Sequence, residues 1–404
     1  MIAFIRQKWK KIALALLLLA VLTQIPFIYR RWQLSRLHAA IERVNAGRVA
    51  PDESVYKDYW GVLHVHSNLG GHSDGKLTDI AKAAQANGLA FVIMTEHPSR
   101  EVNTVDFTLR GVQGGVLFVN GNEVVTSERE RFLALPGHES ALTADTLATA
   151  EALRQTNARE AFSIAAYPEE WQHLDAGGYD GLEIYNLYTN ARQANPVTLF
   201  FDALWAGYPE LLFTRFYARP EANLQRWDVA TRQRRIVAVA GNDAHQNIGF
   251  GLADASGHRF VYLQLDPYER SFRLFRTHVL LPAGQPLTTE SLLSALRQGH
   301  CFTGFDVLGE TSGFRFTAHN GAEQKLMGDE ITWREGVRLR VALPVSARVI
   351  LYKDGQAVQD EPAISQQEFT VREKGVYRVE CYLPQLPGAA GGLPWIISNP
   401  IYVR

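Results

Sequence analysis

The segment HVHSNLGGHSDG, residues 64–75, places three histidines and an aspartate within twelve residues. His64 and His66 are two residues apart, so a strand would turn both side chains to the same face. Two imidazoles in that arrangement can chelate one metal ion. An isolated pair of this kind is more often a surface feature than a metal site, so its meaning depends on ligands elsewhere in the chain.

Further residues able to bind metal follow three later apolar runs, AFVIMT, GVLFVN and RIVAVAG. These residues are Glu96, His97, Glu123, Asp243 and His245. Neutral imidazoles combined with carboxylates are ligands that suit zinc, manganese or iron. Because the C-terminal ends of parallel strands meet at one rim of a sheet or barrel, the sequence predicts a shared metal site at that rim.

The elements that must position these residues lie between Tyr59 and about residue 265. Short apolar runs alternate there with helical patterns such as 78–87, which ends at Gly88, and 143–157. This alternation predicts an α/β domain with a parallel sheet, either open or closed into a barrel. The aromatic-rich insert 190–234 is predicted to hold two helices.

The chain changes character at about residue 310. Apolar and polar residues alternate there with a period of two, and turn signals such as KDGQ separate the runs. This pattern predicts a small antiparallel β-sandwich over 310–404, with a connecting helix over 288–300.

The N-terminal segment is basic and then apolar. The apolar stretch 12–29, as a helix, would be about 27 Å long, which matches the hydrocarbon thickness of a bilayer. We predict a short cytoplasmic tail (1–11), a transmembrane anchor (12–29) and a juxtamembrane helix and linker (30–57). The positive-inside rule then places the remaining chain outside the cytoplasm. A cleaved signal peptide is the alternative interpretation.

Composition excludes some classes of function. The formal net charge is −1 over 404 residues, so nucleic acid is not expected as a partner. The only two cysteines, Cys301 and Cys381, exclude a disulfide framework and a cysteine-ligated zinc site.

Together, the pieces HVHSNLGGHSDG, TEHP, GNE, AAYPE, DGLEIYN and GNDAH resemble, in this order, the PHP (polymerase and histidinol phosphatase) superfamily of metal hydrolases. The resemblance spans residues 59 to about 265. It implies a distorted (β/α)7 barrel, here 58–309, with two or three metal ions at its C-terminal face and phosphoesterase activity.

The resemblance also implies two sets of ligands. The first metal ion is expected on His64, His66, Glu123 and Asp243. The second is expected on His72, His97 and His245, with Asp74 competing with His72 for that role.

A third metal subsite is not expected, because Tyr167 stands where the family has a histidine. The ordinary pKa of a tyrosine, about 10, makes it a poor ligand at neutral pH. Glu130, Arg131 and His138 are the candidates to replace the other histidine of that subsite. We therefore expect two divalent ions, with Tyr167 donating a hydrogen bond to the substrate. Glu183 is expected to be either a buried structural carboxylate or part of the site.

The resulting functional prediction is a membrane-anchored, metal-dependent hydrolase of a phosphate ester. The ester would belong to a small molecule, a lipid or a glycan. His72, Asp74 and Tyr167 are the predicted catalytic residues, with His72 or His245 as proton donor if it does not bind metal. Two alternatives remain open: hydrolysis of a non-phosphate ester or an amide, and an inactive envelope module that binds metal and a ligand.

Overall fold

A computed structural model of the chain describes residues 2–186, 189, 195–205, 207–253 and 259–404. His258, for which the sequence indicates only a loop or surface position, and residues 190–194 and 206 of the insert lie outside this part.

The N-terminal helix α1 runs without interruption from Ile2 to Ala46, so the predicted anchor and the juxtamembrane helix are one element. Its apolar first part is exposed and is long and apolar enough to cross a membrane. Its last turns bury a stripe at helical spacing against the rest of the protein. This stripe consists of Leu37, Ala40, Ile41 and Val44.

The remaining helices are mostly short. In chain order they are α2 (Leu77–Ala86), α3 (Thr104–Phe107), α4 (Thr149–Asn157), α5 (Pro196–Trp205), α6 (Glu221–Gln233), α7 (Tyr268–Ser271) and α8 (Thr289–Gln298). The prediction for 78–87 is confirmed to within a residue at each end, and the left-handed Gly88 (φ 59°) follows that helix. The helix predicted over 143–157 begins only at Thr149, because Glu139–Thr146 forms a 3-10 segment.

The strands supply most of the fold. In chain order they are β1 (Tyr56–Val65), β2 (Phe91–Met94), β3 (Gly111–Gln113), β4 (Val116–Val119), β5 (Asn122–Val125), β6 (Arg131–Leu135), β7 (Phe162–Ala166), β8 (Gly181–Asn186), β9 (Val237–Gly241), β10 (Gly249–Ala253), β11 (Arg259–Gln264), β12 (Arg276–Pro282), β13 (Cys301–Gly304), β14 (Arg315–Asn320), β15 (Glu323–Leu326), β16 (Glu330–Ile331), β17 (Arg338–Lys353), β18 (Gln356–Thr370), β19 (Gly375–Tyr382), β20 (Pro394–Ser398) and β21 (Ile401–Val403).

Two large sheets divide most of these strands. A 14-stranded sheet has the order β15-β14-β17-β19-β20-β13-β12-β1-β2-β4-β3, with β16, β18 and β21 joined to it outside this path. A 5-stranded sheet has the order β5-β6-β7-β8-β9. The pairs β1–β2, β2–β4, β7–β8 and β8–β9 are parallel, as predicted, whereas β12 runs antiparallel to β1 and β6 antiparallel to both its neighbours.

The two sheets approach each other at strand ends. Isolated parallel bridges join Val65 to Ala244 and Glu96 to Asn122. No continuous ladder closes the sheets among the described residues, so the fold is mixed α/β with large open sheets. These bridges bring the C-terminal ends of β1, β2 and β9 and the start of β5 to one place.

The large sheet continues across the predicted domain boundary at 309/310. β20 pairs with β13 and β13 pairs with β12, which places strands from both sides of that boundary in one sheet. A buried ion pair also spans the junction: the Arg378 guanidinium of β19 donates two hydrogen bonds, of 2.7 and 2.8 Å, to the Asp228 carboxylate of α6. Period-two alternation identifies strands but does not say which sheet they join.

Candidate metal centre

The end of β1 brings His64 and His66 to the rim. The pairing of β1 with β2 is irregular between Leu63 and Val65, and His64 has a left-handed backbone with φ 65°. Both histidines are buried, and their rings lie 5.1 Å apart. They converge as predicted, although the strand bends at His64 instead of alternating regularly.

Glu123 lies at the centre of the cluster. Its Oε2 atom is 3.3 Å from His64 Nε2, 3.2 Å from His66 Nε2 and 3.3 Å from His97 Nε2. The Glu96–Asn122 bridge holds the start of β5 against the end of β2 and so places Glu123 beside His97. One carboxylate oxygen therefore faces three imidazole nitrogens from two parts of the chain, the ends of β1 and β2.

Asp243, just after β9, completes the first predicted ligand set. Its Oδ1 atom is 3.5 Å from both His64 Nε2 and His66 Nε2. Its backbone is left-handed, with φ 48°. Strained backbone at non-glycine residues is concentrated at functional sites, and His64 and Asp243 both show it here.

Several polar atoms at the centre are buried without a hydrogen-bond partner. They are Nε2 of His64, both ring nitrogens of His66, Oε1 of Glu123 and Oδ1 of Asp243. Leaving buried polar atoms unpaired costs free energy, and native proteins rarely tolerate it. A divalent cation would accept these nitrogen and oxygen donors, so the residues present fit a metal ion.

The second ligand set differs from the prediction. His66, His97 and His245 offer ring nitrogens that all lie within 4.8 Å of one another, whereas His72 does not belong to this group. Left-handed Gly71 precedes His72, whose side chain is exposed, with its ring 4.6 Å from that of His97. His66 therefore replaces His72 in the compact set, and His72 lies at the entrance.

Asp74 does not converge on the centre. Its side chain is exposed, and it lines neither the cavity nor a ligand group. The neighbouring Ser73 holds the loop instead, through a hydrogen bond of 2.9 Å with the Tyr268 hydroxyl.

Burial and charge set the protonation of the cluster. Burial lowers the pKa of His66 to about 4 and that of His97 to about 4, so both are neutral at pH 7, the form that binds metal. Burial also opposes a charge on His64, but attraction by Glu183 and then Asp243 outweighs it and raises the His64 pKa well above its ordinary value. The carboxylates thus attract positive charge to this point.

Glu183 of β8 fixes the orientation of His64. Its Oε1 atom accepts a hydrogen bond of 2.6 Å from His64 Nδ1, which directs Nε2 towards Glu123. A Cβ atom at Gly241 would lie 1.5 Å from Glu183 Oε1, so this position requires glycine. Carboxylates that orient ligand histidines in this way are a recurrent feature of metal sites.

Glu96, which the sequence groups with the residues able to bind metal, makes its hydrogen bonds outside the cluster. It accepts hydrogen bonds from the Ser67 amide and hydroxyl and from the Thr108 hydroxyl at 3.1 Å. It therefore anchors the start of the loop that follows β1.

A cavity of about 320 Å³ opens onto the cluster. Its lining residues are Gly71, His72, His97, Glu123, Arg131, Tyr167, Asp243, His245 and Asn247. The Arg131 guanidinium lies 5.3 Å from the centre of the Tyr167 ring, and its Nη1 atom is 3.7 Å from Glu123 Oε1. Arg131 was not predicted as a site residue, although it occupies one of the positions where the resembling family has a histidine.

Tyr167 lies in the cavity wall, but its hydroxyl is already engaged. It donates a hydrogen bond of 2.6 Å to Asp243 Oδ2. Burial, followed by the Asp243 carboxylate, raises the pKa of Tyr167 far above its ordinary value, so the phenol stays protonated. The phenol expected to donate to the substrate thus donates to the Asp243 carboxylate in this structure.

The other residues weighed for a third subsite lie elsewhere. The His138 amide donates to Asn122 Oδ1, and His138 lines a separate small cavity. Glu130 Oε1 accepts from the backbone amides of Gln172 and His173. Neither residue lines the cavity at the cluster.

Comparisons with known proteins add little to this geometry. No protein-family model matches the chain, and no curated protein sequence is similar to it. Among solved structures, the crystal structure of PsfC from Pseudomonas syringae PB-5123 is similar at 13% identity and a TM-score of 0.32, over 60% of this chain and 90% of that one. At this level of similarity the comparison supports no argument about function.

Proposed function

We propose that this protein is a metal-dependent phosphoesterase of the PHP type. One observation carries the proposal: His64, His66 and the distant Asp243 bring buried, unpartnered atoms within 4.8 Å of one another, and Glu123 Oε2 lies 3.3 and 3.2 Å from the same two histidines. The two isolated bridges between the sheets bring these residues together, although no continuous ladder closes a barrel among the described residues.

Two groups of residues would hold two divalent ions, zinc, manganese or iron. His64, His66 and Asp243 form one group, and His66, His97 and His245 form the other, with Glu123 facing both. Such ions, when bound, lower the pKa of a coordinated water and neutralise charge on a phosphate ester.

The residues around the ions have separate roles. Arg131 presents a guanidinium to the cavity, where it would bind phosphate oxygens in a fork geometry. Tyr167 holds Asp243 in place through its phenolic hydrogen bond. His72, exposed at the entrance and outside the compact ligand groups, would donate a proton to the leaving group.

The substrate is proposed to be a phosphate ester of a small molecule, lipid or glycan. The apolar first part of α1 would anchor the enzyme in a membrane as a single span, with the catalytic part outside the cytoplasm.

The test is metal content and turnover of an aryl phosphate by the purified full-length protein. We expect two ions per chain and loss of both metal and turnover in His66→Ala and Asp243→Asn, with the fold retained. His319→Gln, a substitution in the distant C-terminal part of the large sheet, is the matched control and should keep both. Full activity in both site variants would refute the proposal, and three tightly held ions per chain would refute the two-ion arrangement.

A substrate panel separates the alternatives. Turnover of carboxylic esters or amides, but not phosphate esters, would identify a different hydrolase. Bound metal without turnover of any ester class would identify a binding module instead.

A further inference from the structure

Helix α5 (Pro196–Trp205) carries its apolar surface outwards. Val197 and Leu204 are seven residues apart, so they share one face of the helix. Their exposures are 63% and 57%, respectively. A surface helix of a soluble protein shows the reverse pattern, with its apolar side inwards, so this face indicates contact with an apolar partner.

The exposed face of α5 adjoins the apolar part of α1. The ring centres of Phe27 in α1 and Phe201 in α5 are 5.2 Å apart, and Phe200 packs against Phe201 at 5.5 Å. Phe27 lies within the apolar stretch 12–29. The apolar surface of α5 is therefore continuous with the surface of the candidate membrane span.

A cationic cavity of about 740 Å³ lies at the same junction. Three arginines line it, Arg30, Arg36 and Arg215, whereas Asp202 is the only acidic lining residue. Arg30 and Arg215 both contact the buried Asp202 carboxylate. One negative charge thus faces three positive charges, which leaves the cavity with a net positive charge.

Aromatic residues border this cavity. Tyr29 and Trp32 are exposed and stacked with ring centres 5.6 Å apart, and the Arg36 guanidinium lies 4.9 Å from the Trp32 ring. Tyrosine, tryptophan and arginine directly after an apolar span are typical of the level of the lipid head groups.

We propose that α5 is a second membrane-contacting element, which lies in the bilayer interface beside α1, and that the arginine cavity binds the phosphate of an anionic phospholipid. The apolar face of α5 contacts acyl chains, and Arg30, Arg36 and Arg215 contact the head groups. This inference depends on α1 being inserted in a membrane but is independent of the hydrolytic activity.

A depth measurement on the full-length protein in nanodiscs tests the α5 contact. Both native cysteines are buried, so a single introduced cysteine can be labelled selectively. A fluorophore on Leu204→Cys should be quenched by lipids brominated in their acyl chains and protected from aqueous iodide. Val358→Cys, 49% exposed in β18, is the matched control and should show the opposite.

Two results would overturn this contact. Quenching of the Leu204→Cys label by iodide, as strong as at Val358→Cys, would place α5 in water. Self-quenching of the label that grows with the number of chains per nanodisc would show that a second copy covers the face. Circular dichroism, measured in parallel, checks that each variant is folded.

Lipid binding in the arginine cavity is tested with nanodiscs that contain phosphatidylglycerol and phosphatidylcholine. The protein is purified from these nanodiscs, and the composition of the lipid that stays bound to it is measured. We expect the retained lipid to be enriched in phosphatidylglycerol. In Arg36→Gln this enrichment should fall on the order of fivefold, because one arginine contributes about 1 kcal/mol to the binding of anionic lipid. Arg338→Gln, an exposed arginine in β17, is the control. Equal lipid ratios in both variants and the unmodified protein would refute head-group binding.

Discussion

Two buried clusters in this protein combine histidine with carboxylates, yet they differ in how their hydrogen bonds are completed. In the second cluster, His278 Nδ1 lies 3.0 Å from Asp58 Oδ1, and His278 Nε2 lies 2.9 Å from the Thr311 hydroxyl and 3.4 Å from Asp306 Oδ2. The metal-centre cluster instead leaves ring nitrogens and carboxylate oxygens unpaired. No buried side-chain atom of His278, Asp58 or Asp306, all within the described residues, lacks a partner.

The difference shows that residue types alone do not identify a metal site. The His278 cluster joins β12, β1 and the segment that follows β13, and its polar groups satisfy each other. The candidate metal centre leaves several of its polar atoms unpaired, and a bound cation would satisfy them. We therefore interpret the His278 cluster as structural and propose that the candidate metal centre is functional. The following predictions test that distinction, from the largest expected effect to the smallest.

Glu123→Gln should reduce aryl phosphate turnover by on the order of a thousandfold, because Glu123 faces both ligand groups and metal ions contribute several kcal/mol to catalysis. His278→Gln should leave kcat of the folded protein unchanged. Steady-state kinetics with both variants, at a temperature where circular dichroism shows them folded, measures this. A comparable loss of kcat in both would erase the distinction.

Asp306→Asn should lower the free energy of unfolding by about 3–5 kcal/mol, because it removes one partner of a buried, hydrogen-bonded ion pair. Asp243→Asn in metal-free protein should cost less than Asp306→Asn, because the Oδ1 atom of Asp243 has no partner to lose and the amide oxygen of asparagine can still accept the Tyr167 hydrogen bond. Urea unfolding of both metal-free variants gives these values. A larger loss in Asp243→Asn would contradict the reading of both clusters.

The His278 cluster should also make stability fall at alkaline pH. Burial lowers the pKa of His278, but Asp58 and then Asp306 outweigh burial and raise it to about 9. The pKa of His278 in the folded protein thus lies above the ordinary value of about 6.5. Protonated His278 therefore contributes on the order of 3 kcal/mol to the free energy of unfolding; this contribution is complete below pH 6.5 and is lost as pH rises through 9.

Urea unfolding of metal-free protein between pH 6 and pH 10 measures this slope. His278→Gln should remove that part of the pH dependence, whereas His319→Gln should retain it. A slope that is the same in all three proteins would show that His278 does not change its protonation on folding.

Glu183→Gln should weaken metal binding by about 10–100-fold, because it disturbs the carboxylate that orients His64 without removing a ligand. Competition with a chromophoric chelator measures the affinity. Glu380→Gln, which alters a buried carboxylate bound to Arg378 and Arg219, is the matched control for loss of a buried charge. Unchanged affinity in Glu183→Gln would assign Glu183 to structure alone.

The convergence of His64, His66, His97, Glu123 and Asp243 was predictable from the sequence. Each residue follows or ends an apolar run, and strand ends meet at one rim whatever the details of the sheet. The predicted convergence depends only on where the strands end, so the irregular pairing of β1 with β2 at His64 does not change it.

The exchange of His72 for His66 in the second ligand group was not predictable. It depends on the left-handed Gly71 and on the stacking of the His66 ring with His97 at 4.8 Å and with His245 at 4.3 Å. The roles of Glu183 and Arg131 likewise depend on side-chain geometry that no spacing encodes. The continuation of the large sheet through β13 and β20 is a tertiary pairing, which alternation along one strand cannot reveal.

Helix α1 contains both the candidate membrane span and the segment that packs on the rest of the protein, and this matters for preparing the protein in water. A version shortened to begin at Pro51 would lose Leu37, Ala40, Ile41 and Val44 and would uncover the apolar side chains against which they pack. A version that begins near Arg30 would discard the exposed apolar turns yet keep this covering. The best position for truncation thus lies inside a continuous helix and does not coincide with any boundary of secondary structure.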